Sequence, residues 1–296
     1  MTLPLDREHI ATEQVHDETT NLDVLSTLES VELLASDHNE AIQAVQDASE
    51  SIASFIDVLT SGISNGGRLI YFGCGTSGRL GVLDAAECPP TFQSDQNMII
   101  GIIAGGDSSL RTSSEAKEDD PNGIAPDFDR IKLQINDTVL GIAAGGTTPW
   151  VLGGLEIAKK IGAMTAFLTC SDVTPEVDHL IQLKTGAEPL TGSTRLKAGT
   201  ATKLTLNIIT TTLFTKLGKV YGNLMVDLKA SNSKLLDRAI RIVSTICEID
   251  RESSSALLAS AGGEVKVAIV MYKKDVEATR ARTILEGVGG NLRAAL

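Results

Sequence analysis

Aromatic residues are scarce in this chain: Phe, Trp and Tyr make up 3% of 296 residues, with a single Trp. A core built from it must be mostly Leu, Ile, Val and Ala. That suits the parallel sheets of α/β proteins, whose strands are buried on both faces. Basic charge is also short. The formal net charge of −12 argues against nucleic acid or an anionic membrane surface as a general partner. It leaves room for a small phosphorylated molecule, because a local nest of N–H groups binds one against the global field. The cysteines Cys74, Cys88, Cys170 and Cys247 form no CxxC pair, and His9, His16, His38 and His179 are scattered, so neither a zinc site nor a disulfide frame is expected. No GK[ST] occurs, which excludes a P-loop. The N-terminus is polar and acidic without an apolar segment, so no signal peptide is expected, and no apolar run approaches the ~20 residues of a membrane span. The expectation is a soluble cytoplasmic protein.

What is present is organised. Residues 1 to about 20 are polar and read as extended. Leu22 to Ile63 carries apolar residues at helical spacing, broken by Gly66-Gly67. Continuous apolar runs follow at Arg68–Gly73, Met98–Ala104, Thr138–Ala144, Met164–Cys170 and Leu180–Leu183, and each reads as a strand. Helices are expected at Leu80–Ala86, Pro149–Ile161, Lys197–Leu217 and Ser233–Ile249. Thr148 as N-cap, Pro149 at the first helical position and Gly162 at the end frame one of them. Val265–Met271 is read as helix. Strands alternating with helices imply βαβ units, hence an α/β fold with a doubly wound parallel sheet, flanked by N-terminal helices and a small C-terminal helical region. The expected division is residues 1–240 and 241–296.

The stretch Gly73-Cys74-Gly75-Thr76-Ser77-Gly78-Arg79-Leu80-Gly81 joins a strand to a helix through a glycine-rich turn. Backbone N–H groups and the helix dipole make such a turn an anion cradle. Ser77 is placed as the N-cap, and its hydroxyl and that of Thr76 can reach phosphate oxygens. Asp84 comes too soon to read a ribose, so a dinucleotide site is disfavoured. The alternative is a purely structural turn packing helix on strand. A second turn, Gly145-Gly146-Thr147-Thr148-Pro149, weighs against it, because two hydroxyl-bearing helix starts can converge on one anion.

Glu87 sits near the end of the first helix, beside Pro89 and Pro90, which should stop it. With Cys88 and Phe92 nearby, partial desolvation and a raised pKa are expected, suiting proton donation. Glu118 lies among Glu115, Asp119 and Asp120, and composition does not say which of these carboxylates matters. Arg195 and Lys197, opening the long helix, either bind a substrate anion or neutralise acidic surface. Trp150 is read as packing rather than a sugar platform.

The segment Gly73–Phe92, GCGTSGRLGVLDAAECPPTF, closely resembles the signature of N-acetylmuramic acid 6-phosphate etherases. Ile103–Gly106, Glu118-Asp119, the segment Thr191–Ala201 (TGSTRLKAGTA) and Gly222–Asp227 (GNLMVD) follow the same pattern, and the similarity runs from about Thr12 to the C-terminus. The family's relatives include the glucokinase regulatory protein. The resemblance implies a sugar isomerase (SIS) domain, a homodimer, no metal and no redox cofactor, and a cytoplasmic lyase of cell-wall sugar recycling. It implies Glu87 as proton donor and Glu118 as the second catalytic carboxylate. Gly75, Thr76, Ser77, Gly78, Gly146, Thr147, Thr148, Ser193 and Lys197 then form the set expected to bind the sugar phosphate. A non-catalytic sugar-phosphate regulator and an aldose–ketose isomerase are the competing functions. The chain departs from the pattern at the second turn. Many members read Ala-Ser-Gly-Arg-Thr-Pro where this chain has Ala144-Gly145-Gly146-Thr147-Thr148-Pro149, so a serine hydroxyl and a positive charge are replaced by glycine and threonine.

Overall fold

The computed structural model describes residues 6–114, 117–228 and 232–296. The chain forms two compact units, Met1–Ala86 with Gln96–Thr210, and Glu87–Asp95 with Thr211–Leu296. They do not divide at residue 240, which falls inside a helix of the second unit.

The first unit opens with α1 (Thr27–Asp37), α2 (Asn39–Asp47) and α3 (Ser49–Ser64). Ser26 starts α1 through a capping box with Glu29. The segment before α1 is not extended, as its polarity suggested. It makes short 3-10 turns at Ala11–Glu13, Asp17–Thr19 and Leu22–Val24, and buries Ile10 and Thr12. The rest alternates as β1 (Leu69–Gly73), α4 (Gly75–Phe92), β2 (Ile99–Ile103), α5 (Ala125–Ile131), β3 (Thr138–Ile142), α6 (Pro149–Ile161), β4 (Met164–Thr169) and β5 (His179–Gln182), followed by α7 (Lys197–Lys216). The five strands are parallel in the order β2-β1-β3-β4-β5. Every residue of β1 and β3 is buried, which is why their sequences are apolar without alternation. On one face Ile70, Phe72, Val139 and Phe167 pack with Trp150 of α6.

Helix α4 corrects two expectations. It starts at Gly75, so Ser77 lies within its first turn and is not the cap; Cys74 supplies the carbonyl that accepts the Gly78 amide. It also continues through Pro89 and Pro90 to Phe92. Proline's fixed φ suits a helix, and the lost bonds and ring crowding against the carbonyls four residues earlier fall in the final turns. Gln93, with φ 49°, ends the helix by donating its amide to the Pro89 carbonyl.

The second unit contains the short antiparallel pair β6 (Val220–Tyr221) and β7 (Leu224–Met225), then α8 (Ser233–Cys247), α9 (Arg251–Ser260), α10 (Val265–Lys274), α11 (Ala278–Gly287) and α12 (Leu292–Ala295). Val265–Met271 is helix, as expected. Its core is aliphatic: Ile240, Val243, Leu258, Val270 and Leu285 are buried together.

Candidate active site

Strand order puts both glycine-rich turns at one place. β1 and β3 are neighbours, and their chains leave in opposite directions, to β2 and to β4. Open α/β sheets bind ligands outside the carboxyl ends of the strands at such a switch point. The turn after β1 carries Gly75–Gly78, and the turn after β3 carries Gly145–Thr148.

Close packing demands the glycines. A Cβ on Gly73 would stand 2.8 Å from the Ile142 carbonyl oxygen, and one on Gly78 would stand 2.4 Å from the Gly73 carbonyl oxygen. The amino end of α4 is thus pressed onto the end of β1, and its first amides, which lack helical acceptors, face out of the turn. Gly75 has φ 49°, and Glu118 Oε1 lies 3.5 Å from where its Cβ would be. Glu118 therefore stands over the cradle, half-buried. The Trp150 amide donates to the Glu118 carbonyl (3.0 Å), while the indole is buried 6.0 Å from the Phe72 ring. Trp150 is packing, and it also anchors the backbone of Glu118. The thiol of Cys74, within the turn, is pushed up first by burial and then by the charges of Glu118 and Asp119, so it is no thiolate nucleophile.

In the second turn Gly146 has φ 75°, and a Cβ there would meet Val173 at 2.4 Å. The Ala144 carbonyl accepts the Cys170 amide and the hydroxyls of Thr169 and Ser171, which fixes the turn to β4. Thr148 occupies the N-cap of α6 as expected, but its hydroxyl makes no capping bond. Thr147 and Thr148 are half-buried. Thr12 Oγ1 is fully buried, without a hydrogen-bond partner, 3.9 Å from the Cβ position of Gly145.

The segment Gly192–Gly199 reaches the first turn: the Cβ position of Gly199 is 3.6 Å from the Thr76 methyl. Ser193 is half-buried there, whereas Arg195 is exposed. Lys197 is turned away. Its ammonium is completely buried, 3.0 Å from Asp37 and 2.5 Å from Glu40. Glu188, which the sequence did not single out, occupies the amino end of α7. Its carboxylate accepts the Lys197 amide (2.9 Å) and the Ala198 amide (3.0 Å), and burial nevertheless pushes its pKa up. His16, Asp37 and Glu40 could be read as a metal triad, because their ligand atoms lie within 4.8 Å of one another. The Lys197 ammonium already supplies a cation to both carboxylates.

Glu87 lies on α4 and is exposed. The desolvation expected for it is not supplied by its neighbours: Cys88 and Phe92 are buried, Phe92 stacking on Phe214 at 4.4 Å, but they occupy another face of the helix. Glu87 follows Ser77 by ten positions on the same helix.

Fold and turns define a doubly wound domain of the sugar-phosphate-binding SIS class: residues 51–159 match the N-terminal SIS domain of glucokinase regulatory protein, and residues 222–279 match the C-terminal lid domain of the same protein. Over nearly its whole length the chain is more closely similar to another group. It is 49% identical over 294 residues to the N-acetylmuramic acid 6-phosphate etherase of Synechococcus sp. (strain CC9902), covering 98% of this chain and 93% of that protein. It is 50% identical, with the same coverage, to that of Parasynechococcus marenigrum (strain WH8102). The chain belongs to the N-acetylmuramic acid 6-phosphate etherase family. Among solved structures it is similar to phosphoheptose isomerase from Neisseria gonorrhoeae, 18% identical with a TM-score of 0.48, covering 64% of this chain and 100% of that one. Among the described residues no helix is long and apolar enough to cross a membrane.

Proposed function

We propose that this protein cleaves the D-lactyl ether of N-acetylmuramic acid 6-phosphate, giving N-acetylglucosamine 6-phosphate and D-lactate in cell-wall sugar recycling. The observation that carries the reading is the identity of about half of all residues with etherases along almost the entire chain. The paired turns at the ends of β1 and β3 support it, since they offer backbone N–H groups and the hydroxyls of Thr76, Ser77, Thr147 and Thr148 to a phosphate.

The chemistry follows from the substrate. In the open-chain sugar the C2 proton is acidified by the C1 aldehyde. Glu118 removes it, and the electron pair passes into an enolate. The enolate re-forms the carbonyl as the C3–O bond breaks, and Glu87 protonates the departing lactate oxygen, which is otherwise a poor leaving group. Water then adds across the double bond, its hydroxyl at C3 and its proton at C2. The net change is hydrolysis of the ether.

The working form is a homodimer in the cytoplasm, with no part for nucleic acid. Helix α1 supports the dimer: it buries none of its residues, and its Leu28 and Val31, with Val24 in the 3-10 turn before it, are apolar side chains 59–75% exposed. A second copy of the chain is its occupant.

The deciding experiment incubates the purified protein with N-acetylmuramic acid 6-phosphate and measures D-lactate. Stoichiometric release is expected. Binding without release would mark a sensor, and a ketose formed from another hexose phosphate would mark an isomerase.

A further inference from the structure

The second unit holds a cavity of about 470 Å³ that the etherase reading leaves unused. Its polar wall is cationic. Asp227 is gripped by two ammonium groups, that of Lys219 on one carboxylate oxygen and that of Lys266, 3.2 Å away, on the other. Lys266 also donates to the Gly290 carbonyl (2.8 Å). Two ammoniums carry six N–H donors, and these contacts use three of them. The remaining carboxylate on the wall, Glu264, is neutralised by Arg282 at 2.8 Å. Among the described residues, the cluster keeps one surplus positive charge.

The cavity also receives the amino end of a full helix. Val265, Lys266 and Val267, the first turn of α10, line it, and the N-cap residue Glu264 makes no side-chain capping bond. The Gly262-Gly263 turn leads into this helix start, and space is open where a Cβ of Gly263 would stand. Lys266 is 9% exposed, and its burial works against its charge. A surplus cation shared by partly buried Lys219 and largely buried Lys266, with unused donors facing a cavity at a helix amino end, is stabilised by an anion.

We propose that this cavity is a second ligand site, specific for a small organic oxyanion, a carboxylate or a phosphate monoester no larger than a monosaccharide. Lys219 and Lys266 supply the charge, and the first amides of α10 supply directional donors. The site stands apart from the cradle at the ends of β1 and β3 in the residues that form it.

Crystals of the full chain soaked in sodium selenate locate the anion by its anomalous signal. A peak within hydrogen-bond distance of Lys219 Nζ and Lys266 Nζ is expected in the wild type and in Lys219→Arg, and none in Lys219→Gln. Asp227 keeps Lys266 as partner in that variant, so the fold is retained. An empty cavity in the wild type, at selenate concentrations that fill the first cradle, overturns the proposal. Calorimetric titration with acetate and with inorganic phosphate then separates the two chemistries. Lys219→Gln should weaken the preferred anion at least tenfold while lactate release continues, and equal binding by both proteins overturns the site. Loss of lactate release by the wild type would count against the etherase reading alone.

Discussion

Tyr71 donates its phenolic hydroxyl to the carboxylate of Asp84 across 3.1 Å, within the buried interior of the first unit. Thr210 holds the other oxygen at 3.2 Å. Burial still prevails over both bonds and pushes Asp84 up to about 6, from 3.8. The folded protein thus keeps a proton that the unfolded chain releases between these values, so this contribution to stability is present at about pH 4 and is lost as pH rises through 6. Asp84→Asn should remove that loss. Urea denaturation is expected to show the variant more stable than wild type by about 1–3 kcal/mol at pH 7.5, with the difference shrinking towards pH 4. An equal difference at both pH values would refute the assignment.

The Lys197 ion cluster makes a second prediction. Asp37 Oδ2 is buried without a hydrogen-bond partner, so Asp37 depends on Lys197 and on His16, at 3.0 Å, through its other oxygen. Lys197→Met should cost about 3–5 kcal/mol, the penalty for breaking a buried pair. Lys197→Met combined with Asp37→Asn should recover part of it in the same denaturation series. If Lys197→Met proved as stable as wild type, the cluster would not be holding the start of α7.

Glu87→Gln and Glu118→Gln each keep size and hydrogen-bonding capacity while removing the titratable proton. Each is expected to slow D-lactate release by ~10²–10⁴-fold, the usual contribution of one general acid or base, with folding intact by circular dichroism. Near-wild-type turnover by either variant removes that residue from the mechanism.

At the second turn, neighbouring glycines should behave oppositely. Gly145→Ser meets nothing closer than Thr12 Oγ1 at 3.9 Å and gives that orphan hydroxyl a partner. A gain of about 1 kcal/mol is expected. Gly146→Ser drives a Cβ into Val173 at a positive φ and should lower the melting temperature. The two melting curves, run together, check both.

Leu28→Glu tests the exposed apolar side chains of α1. Light scattering after gel filtration should report a dimer for wild type and a monomer for the variant, with circular dichroism unchanged because Leu28 is 65% exposed. A variant that remained dimeric would move the interface elsewhere.

Much of the sheet was legible because its strands are unbroken apolar runs, a direct result of burial on both faces of β1 and β3. Helix α6 was legible from Thr148, Pro149 and Gly162, whose effects act within one turn. What escaped depends on distance. Lys197 read as an anion ligand because its partners, Asp37 and Glu40, lie 160 and 157 residues away. Glu188 looked like any other acid, yet it caps a helix that starts nine residues later. The prolines were misjudged for the opposite reason: their local rule is strong, but so late in α4 it removes bonds without ending the helix. Composition offered several carboxylates equivalent to Glu118; the family resemblance singled it out, and the fold gave its place over Gly75.

β1 and β3 are each hydrogen-bonded on both sides, whereas β2 and β5 have one free edge. Local opening proceeds from edges and frayed ends before it reaches interior ladders. In hydrogen–deuterium exchange the amides of Leu69–Gly73 and Thr138–Ile142 should therefore be among the last to label. Both ligand turns grow directly from these strands, so the frame that would grip the phosphate is tied to the part of the sheet slowest to come apart.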